Sequence, residues 1–254
     1  MNRVPTPEFH MKKPFFRAAL WASALFASLT ACTSDHGQLD VTIEGATEAI
    51  IVRIEGDHTV PWDTVAISDG QLSLDLPVDS TLQTFYYLLF DTGGSMRLGI
   101  QPGDRIAGHI HASTPLTDYT IEGSVLSEQL QALYRPVLRS SLLLDSLDQY
   151  RNAHRSDSTE GSLAREQRHF ERLESRYLAH REEILAVMAQ DSTNLSNVFG
   201  FFQQVGQVPI FRPTTDIGMM QAYADAFIKA YPTHPLAQIF AQEVARMSNA
   251  MPGQ

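Results

Sequence analysis

The sequence predicts an α+β protein: an N-terminal antiparallel β-sandwich or open barrel, then a helical module containing a long antiparallel helical hairpin. Three observations carry this. From Gln38 to Ile121 the apolar residues fall into short runs separated by Gly, Pro and Asp turn signals. After Gly123 they keep three-to-four spacing instead. The period changes once, so strands and helices are segregated along the chain.

The strand half begins with Leu39, Val41 and Ile43, which alternate, followed by Ile50, Val52 and Ile54 with Arg53 and Glu55 on the opposite face. Val65 and Ile67 come next, then Leu72, Leu74 and Leu76. Ser68-Asp69-Gly70-Gln71 reads as a hairpin turn, because Asp-Gly accepts positive φ. Thr81 to Phe90 is an aromatic and aliphatic run suited to a central strand, closed by Asp91-Thr92-Gly93-Gly94. Gln101-Pro102-Gly103-Asp104 is a further turn, leading into Ile106 to Ile110.

In the helical half, Leu126, Leu130, Leu133, Val137, Leu144 and Leu147 line one helix, with Ser140 the polar exception and Pro136 a predicted kink. A polar loop, Arg155 to Gly161, leads to a second helix. There Leu163, Phe170, Tyr177 and Ile184 repeat at seven residues, with Leu173 and Val187 on an intervening seam. The pair reads as a helical hairpin. Asp191 to Asn194 caps a third helix, Leu195 to Val205. A fourth starts at Thr214-Thr215-Asp216 and ends at Tyr231-Pro232, and His234-Pro235 opens a fifth that runs to about Ser248. The expected segments are 1–31 as leader, 32–37 as tether, 38–122 as β-module and 123–254 as helical module.

The leader is legible too. Lys12, Lys13 and Arg17 precede an apolar stretch from Ala18 to Ala27 and the small residues Ser28 to Ala31. Met11 suits a true start better than Met1. A helix over Ala18 to Ala31 would run about 21 Å against roughly 30 Å of hydrocarbon, a poor permanent span. Leu29-Thr30-Ala31-Cys32 resembles a bacterial lipobox, which implies cleavage between Ala31 and Cys32 and lipidation of Cys32, the only cysteine. Two or three acyl chains there suffice for stable anchoring. Thr33-Ser34-Asp35 has no aspartate directly after the cysteine, which favours the outer membrane over the inner. The leader would carry away Arg3, Lys12, Lys13 and Arg17 but only Glu8, leaving the remainder more acidic than the formal −10 of the whole chain. Such a domain repels phosphate backbones, so nucleic acid is an unsuitable partner.

Trp62 to Leu74 resembles the D-[ST]-x-x-x-x-x-G-x-F hairpin of a domain of unknown function found near the N-terminus of Bacteroidetes envelope lipoproteins. Tyr119-Thr120-Ile121-Glu122-Gly123-Ser124 resembles its closing I-x-G-S strand, and Tyr231-Pro232-Thr233-His234-Pro235 its later yP-x-hp stretch. The resemblance spans roughly 38 to 245. It implies a module that precedes a thioredoxin-like thiol-disulfide oxidoreductase domain. No Trp-Cys-x-x-Cys occurs in this chain, and thiol exchange needs a thiolate. The expected role is therefore a non-catalytic binding or accessory module. The alternative is the N-terminal portion of such an oxidoreductase whose catalytic domain is missing from this chain.

The remaining side chains offer little chemistry. His109 and His111 share a strand face and would supply two metal ligands, yet no cysteine or acidic cluster accompanies them; no metal or cofactor is expected. Gly93-Gly94-Ser95-Met96-Arg97 approaches a nucleophile elbow but lacks the final glycine. No catalytic residue is assigned. His180 occupies a seam position and also receives no role. Phe85, Tyr86, Tyr87 and Phe90, like Phe199, Phe201 and Phe202, read as core. Five Asp-Ser or Asp-Thr pairs match a loose O-glycosylation sequon, with Ser158 best placed. The helical hairpin, Ser124 to Gln190, is the surface most suited to a protein partner, because Tyr134, Leu138, Leu142 and Leu143 widen its apolar stripe.

Overall fold

The computed structural model describes residues 36–79, 82–116, 119–154 and 159–250, with side chains of 159–162 excepted. Ser34–Gln254 forms one compact unit. Eight strands build its first part: β1 (His36–Glu44), β2 (Glu48–Glu55), β3 (His58–Ala66), β4 (Gln71–Pro77), β5 (Thr84–Phe90), β6 (Ser95–Ile100), β7 (Arg105–His111) and β8 (Tyr119–Glu122). They form two open four-stranded sheets, ordered β4-β1-β7-β8 and β3-β2-β5-β6. Leu39, Val41, Ile43, Leu72 and Ile106 from the first meet Ala49, Ile51, Tyr86, Leu88 and Leu98 from the second in one buried core.

The α+β class and the order of its halves are as expected, with three corrections in the strands. β1 pairs with β7 in parallel, so that sheet is mixed. The chain between them builds the other sheet, giving the long crossover a parallel pair needs. The inward residues of β2 are Ala49 and Ile51; Ile50, Val52 and Ile54 lie on the outer face, opposite Leu89, Tyr87 and Phe85. The Ser68–Gln71 turn forms, with Asp69 at φ 52° and Gly70 at φ 73°, but it carries the chain from one sheet to the other.

The second part comprises α1 (Val125–Ala153), α2 (Thr159–Met188), α3 (Asn197–Phe201), the short strands β9 (Gln204–Val205) and β10 (Val208–Pro209), α4 (Pro213–Ala230) and α5 (Pro235–Asn249). The expected third helix stops after Phe201. Val205 instead sits in the β9-β10 hairpin, which pairs Val205 with Val208. Pro136 lies inside α1 and is buried there.

Helices and sandwich are joined on the outer face of β5 and β6. Phe85 belongs to the helical core, with Leu130, Leu133, Ile184, Phe201, Phe227 and Phe240. Opposite it, Gly99 leaves room for α1: a Cβ there would stand 2.5 Å from that of Leu126. Gly99 lies on an edge strand, and its carbonyl accepts from Ser124 Oγ (2.8 Å) and Ser127 Oγ (2.7 Å) while its N–H donates to Ser127 Oγ (3.1 Å). A second tie runs through Gln83. Its carbonyl accepts from buried His234 at 2.6 Å, and its side chain bonds Leu195 N and Tyr231 Oη, both at 2.8 Å.

The hairpin forms, but not along the expected seam. Ile184 is buried and Tyr177 partly so, whereas Phe170 is 66% and Leu163 73% exposed. The side of α2 that meets α1 carries His169, Arg176 and His180, about a quarter-turn away. The heptad line faces the β9-β10 loop, where Tyr177 Oη donates to Pro209 and Ile210 carbonyls. Above Tyr177 none of the described residues covers it.

Candidate functional site

Alternation along β6 puts Arg97 on the same face as Gly99, turned toward the helices, and register places Tyr87 beside it. Its guanidinium lies 3.9 Å over the Phe199 ring and 4.9 Å over Tyr87, and donates to Tyr87 Oη. Such stacking contributes about 0.5–2 kcal/mol. No described carboxylate pairs with it, and its Nε is buried without a partner. An unmade hydrogen bond of this kind costs about 1–3 kcal/mol.

Arg97 borders a cleft of about 240 Å³. Leu130, Leu133, Tyr134 and Val137 of α1 form one wall, Phe199 and Phe202 the other, and Gln203 and Gln204 the lip. A small apolar body with an anionic acceptor at one end suits this lining, because the guanidinium bordering it has no carboxylate partner among the described residues.

A polar chain runs inward from the lip. Gln203 donates its amide N–H to the Leu133 carbonyl (2.9 Å) and accepts from His180 Nε2 (2.9 Å). His180 thus carries a proton on Nε2, and its Nδ1 pairs with Ser140 Oγ at 2.8 Å, accepting from that hydroxyl in the neutral ring. Burial lowers the His180 pKa, in keeping with that neutral state. Arg176 donates to Ser140 (3.2 Å) and to Glu183 (2.9 Å), which Arg139 also binds. A hydroxyl bonded to an imidazole has the spacing of a nucleophile and its base. Here, however, Ser140 is 2% and His180 0% exposed, out of reach of any substrate. The pair holds the two long helices in register.

The sequence-predicted positions are dispersed. Ala31, Cys32 and Ser158 lie outside the described residues. His109 pairs with Glu44 at 3.1 Å and His111 bonds Ser113 at 2.9 Å. No three metal-ligating side chains gather among the described residues. Ser95 is an exposed residue opening β6 rather than the tip of an elbow. Asp191 caps its own loop by accepting from Thr193 N at 2.8 Å. No described helix is long and apolar enough to cross a membrane. Reasoning from sequence missed Arg97, although one signal was present: a lone cation between the buried residues Met96 and Leu98.

No family model, curated protein or solved structure matches the chain.

Proposed function

We propose that this chain is a lipid-anchored cell-envelope protein acting as a non-catalytic binding module, and that the Arg97 cleft holds the anionic end of a small apolar ligand. The observation behind the ligand is the Arg97 guanidinium, without a described carboxylate partner, bordering a cleft whose walls are largely apolar. A carboxylate entering there would meet a charge-assisted donor with little competing water. The anchor rests on the lipobox and the single cysteine, and the accessory role on the resemblance to lipoprotein modules that precede thioredoxin-like domains.

Two experiments address the two parts. Labelled palmitate should enter the wild type and not Cys32→Ala; label in both, or a mature N-terminus elsewhere, would contradict anchoring. For the cleft, octanoate, octanol and octylamine are titrated into the unit Ser34–Gln254, whose two cores lie wholly within it. Octanoate should bind best and lose about tenfold or more in Arg97→Met, as one charged hydrogen bond warrants. Equal binding of octanol, or none by octanoate, would refute the ligand class.

A further inference from the structure

Charge is distributed unevenly in this acidic chain. Arg165, Arg168, Arg172 and Arg176 follow one another at spacings of three and four on α2, which places them on a single helix face. Arg176 is consumed by Glu183 and Ser140, and Arg165 is engaged as well. Arg168 and Arg172 have no carboxylate partner among the described residues. Between them stands His169, whose Nδ1 is buried with no hydrogen-bond partner. Tyr150 of α1 fixes that imidazole from the other side, with ring centroids 5.2 Å apart in an edge arrangement.

Arg165, Arg168, His169, Arg172 and Tyr150 border a hollow of about 400 Å³ between α1 and α2, and Arg168 and Arg172, with Arg176, border a second one of about 500 Å³. The α1 walls, Leu147 and Tyr150 among them, bring no carboxylate to either hollow. The one acid lining them is Glu171, which accepts from Gln167 at 3.2 Å. An ordinary solvated helix face would pair its arginines with carboxylates three or four residues away. Here two guanidinium forks and an imidazole whose buried Nδ1 lacks a partner border one concavity instead.

We propose that this cleft binds a phosphate monoester group. A carboxylate is satisfied by a single arginine fork. A phosphate monoester carries close to two charges and three acceptor oxygens, enough to engage both forks and the imidazole together. The group can arrive on a soluble phosphate ester or on a lipid headgroup. Neither depends on the Arg97 cleft, which lies at the other end of α1.

The test uses the unit Ser34–Gln254. Inorganic phosphate is titrated at fixed ionic strength against acetate, and flotation is measured with phosphatidylcholine vesicles with and without phosphatidic acid. Phosphate should bind saturably and acetate should not. Arg168→Gln with Arg172→Gln should weaken phosphate at least about tenfold. The paired lysine replacements should recover part of that loss, and Glu171→Gln should tighten binding. Both arginines are exposed, so an unchanged unfolding midpoint accompanies these variants. Flotation that requires phosphatidic acid assigns the phosphate to a lipid; phosphate binding without flotation assigns it to a soluble ester. Binding unchanged in the glutamine pair, acetate as effective as phosphate, or no binding of phosphate in either form would each overturn the proposal.

Discussion

The two ends of α2 follow one heptad line into opposite environments. Tyr177 and Ile184 face other parts of the helical module and join its core; Phe170 and Leu163, one and two heptads before Tyr177, face solvent. The residue types hardly differ. What differs is reach: α4 ties to α2 at Arg181 through Asp216, and the end of β10 reaches Tyr177, where the Pro209 and Ile210 carbonyls take its hydroxyl. Amphipathic spacing thus fixes that a side of the helix is apolar, while length of the neighbouring elements fixes how much of it is buried.

The sharpest contrast is Ile184→Ala against Leu163→Ala. Removing a fully buried branched chain should cost about 2–5 kcal/mol of unfolding free energy in urea. The same truncation at Leu163 should stay within about 0.5 kcal/mol. Comparable losses at both sites would mean that the outer line is covered after all. Next in size is Gly99→Ala. The new methyl would press on Leu126 and Phe85 and part the sheet from α1, for a loss of about 1–3 kcal/mol by the same measurement. A silent substitution would show that α1 docks more loosely than its serine bonds imply.

The two buried histidines of the helical module make stability depend on pH. Burial lowers the pKa of both His180 and His234 in the folded protein. The unfolded chain therefore binds more protons once pH falls below the ordinary value of about 6.5, and stability drops there. Urea midpoints should fall on going from pH 7.5 to pH 5, and His180→Gln should flatten part of that fall. An unchanged slope would show that His180 carries no such linkage. The smallest effect is expected at Leu142, 59% exposed on α1. Leu142→Glu should leave stability within about 0.5 kcal/mol, and wild type and variant should sediment alike; dissociation of a wild-type oligomer by the variant would reveal a docking role for this face.

Legibility in the sequence divides along similar lines. Ser140 and His180 stand out there as polar interruptions of two apolar seams, yet their pairing depends on the relative rotation of the helices, which heptad spacing leaves open. β3 is legible only at its end, around Val65, because it is an edge strand exposed almost throughout, so nothing forces alternation on the rest of it. The Asp69-Gly70 turn is local chemistry and readable, whereas the sheet its second strand joins is decided by distant pairing with β1. The third helix overruns because Phe202 and Val205 keep helical spacing while β10 offers a competing partner. Arg97 was visible as a charge in a buried strand, but the rings that hold it come from β5 and α3.

Amide hydrogen exchange along α2 tests the contrast most directly. At micromolar protein, amides from Tyr177 to Met188 should be protected close to the level of global unfolding. Those from Leu163 to about Arg172 should exchange orders of magnitude faster through local opening of the hairpin. Uniform strong protection over the whole of α2 would contradict the account, because it would place a partner or a second copy over Leu163 and Phe170.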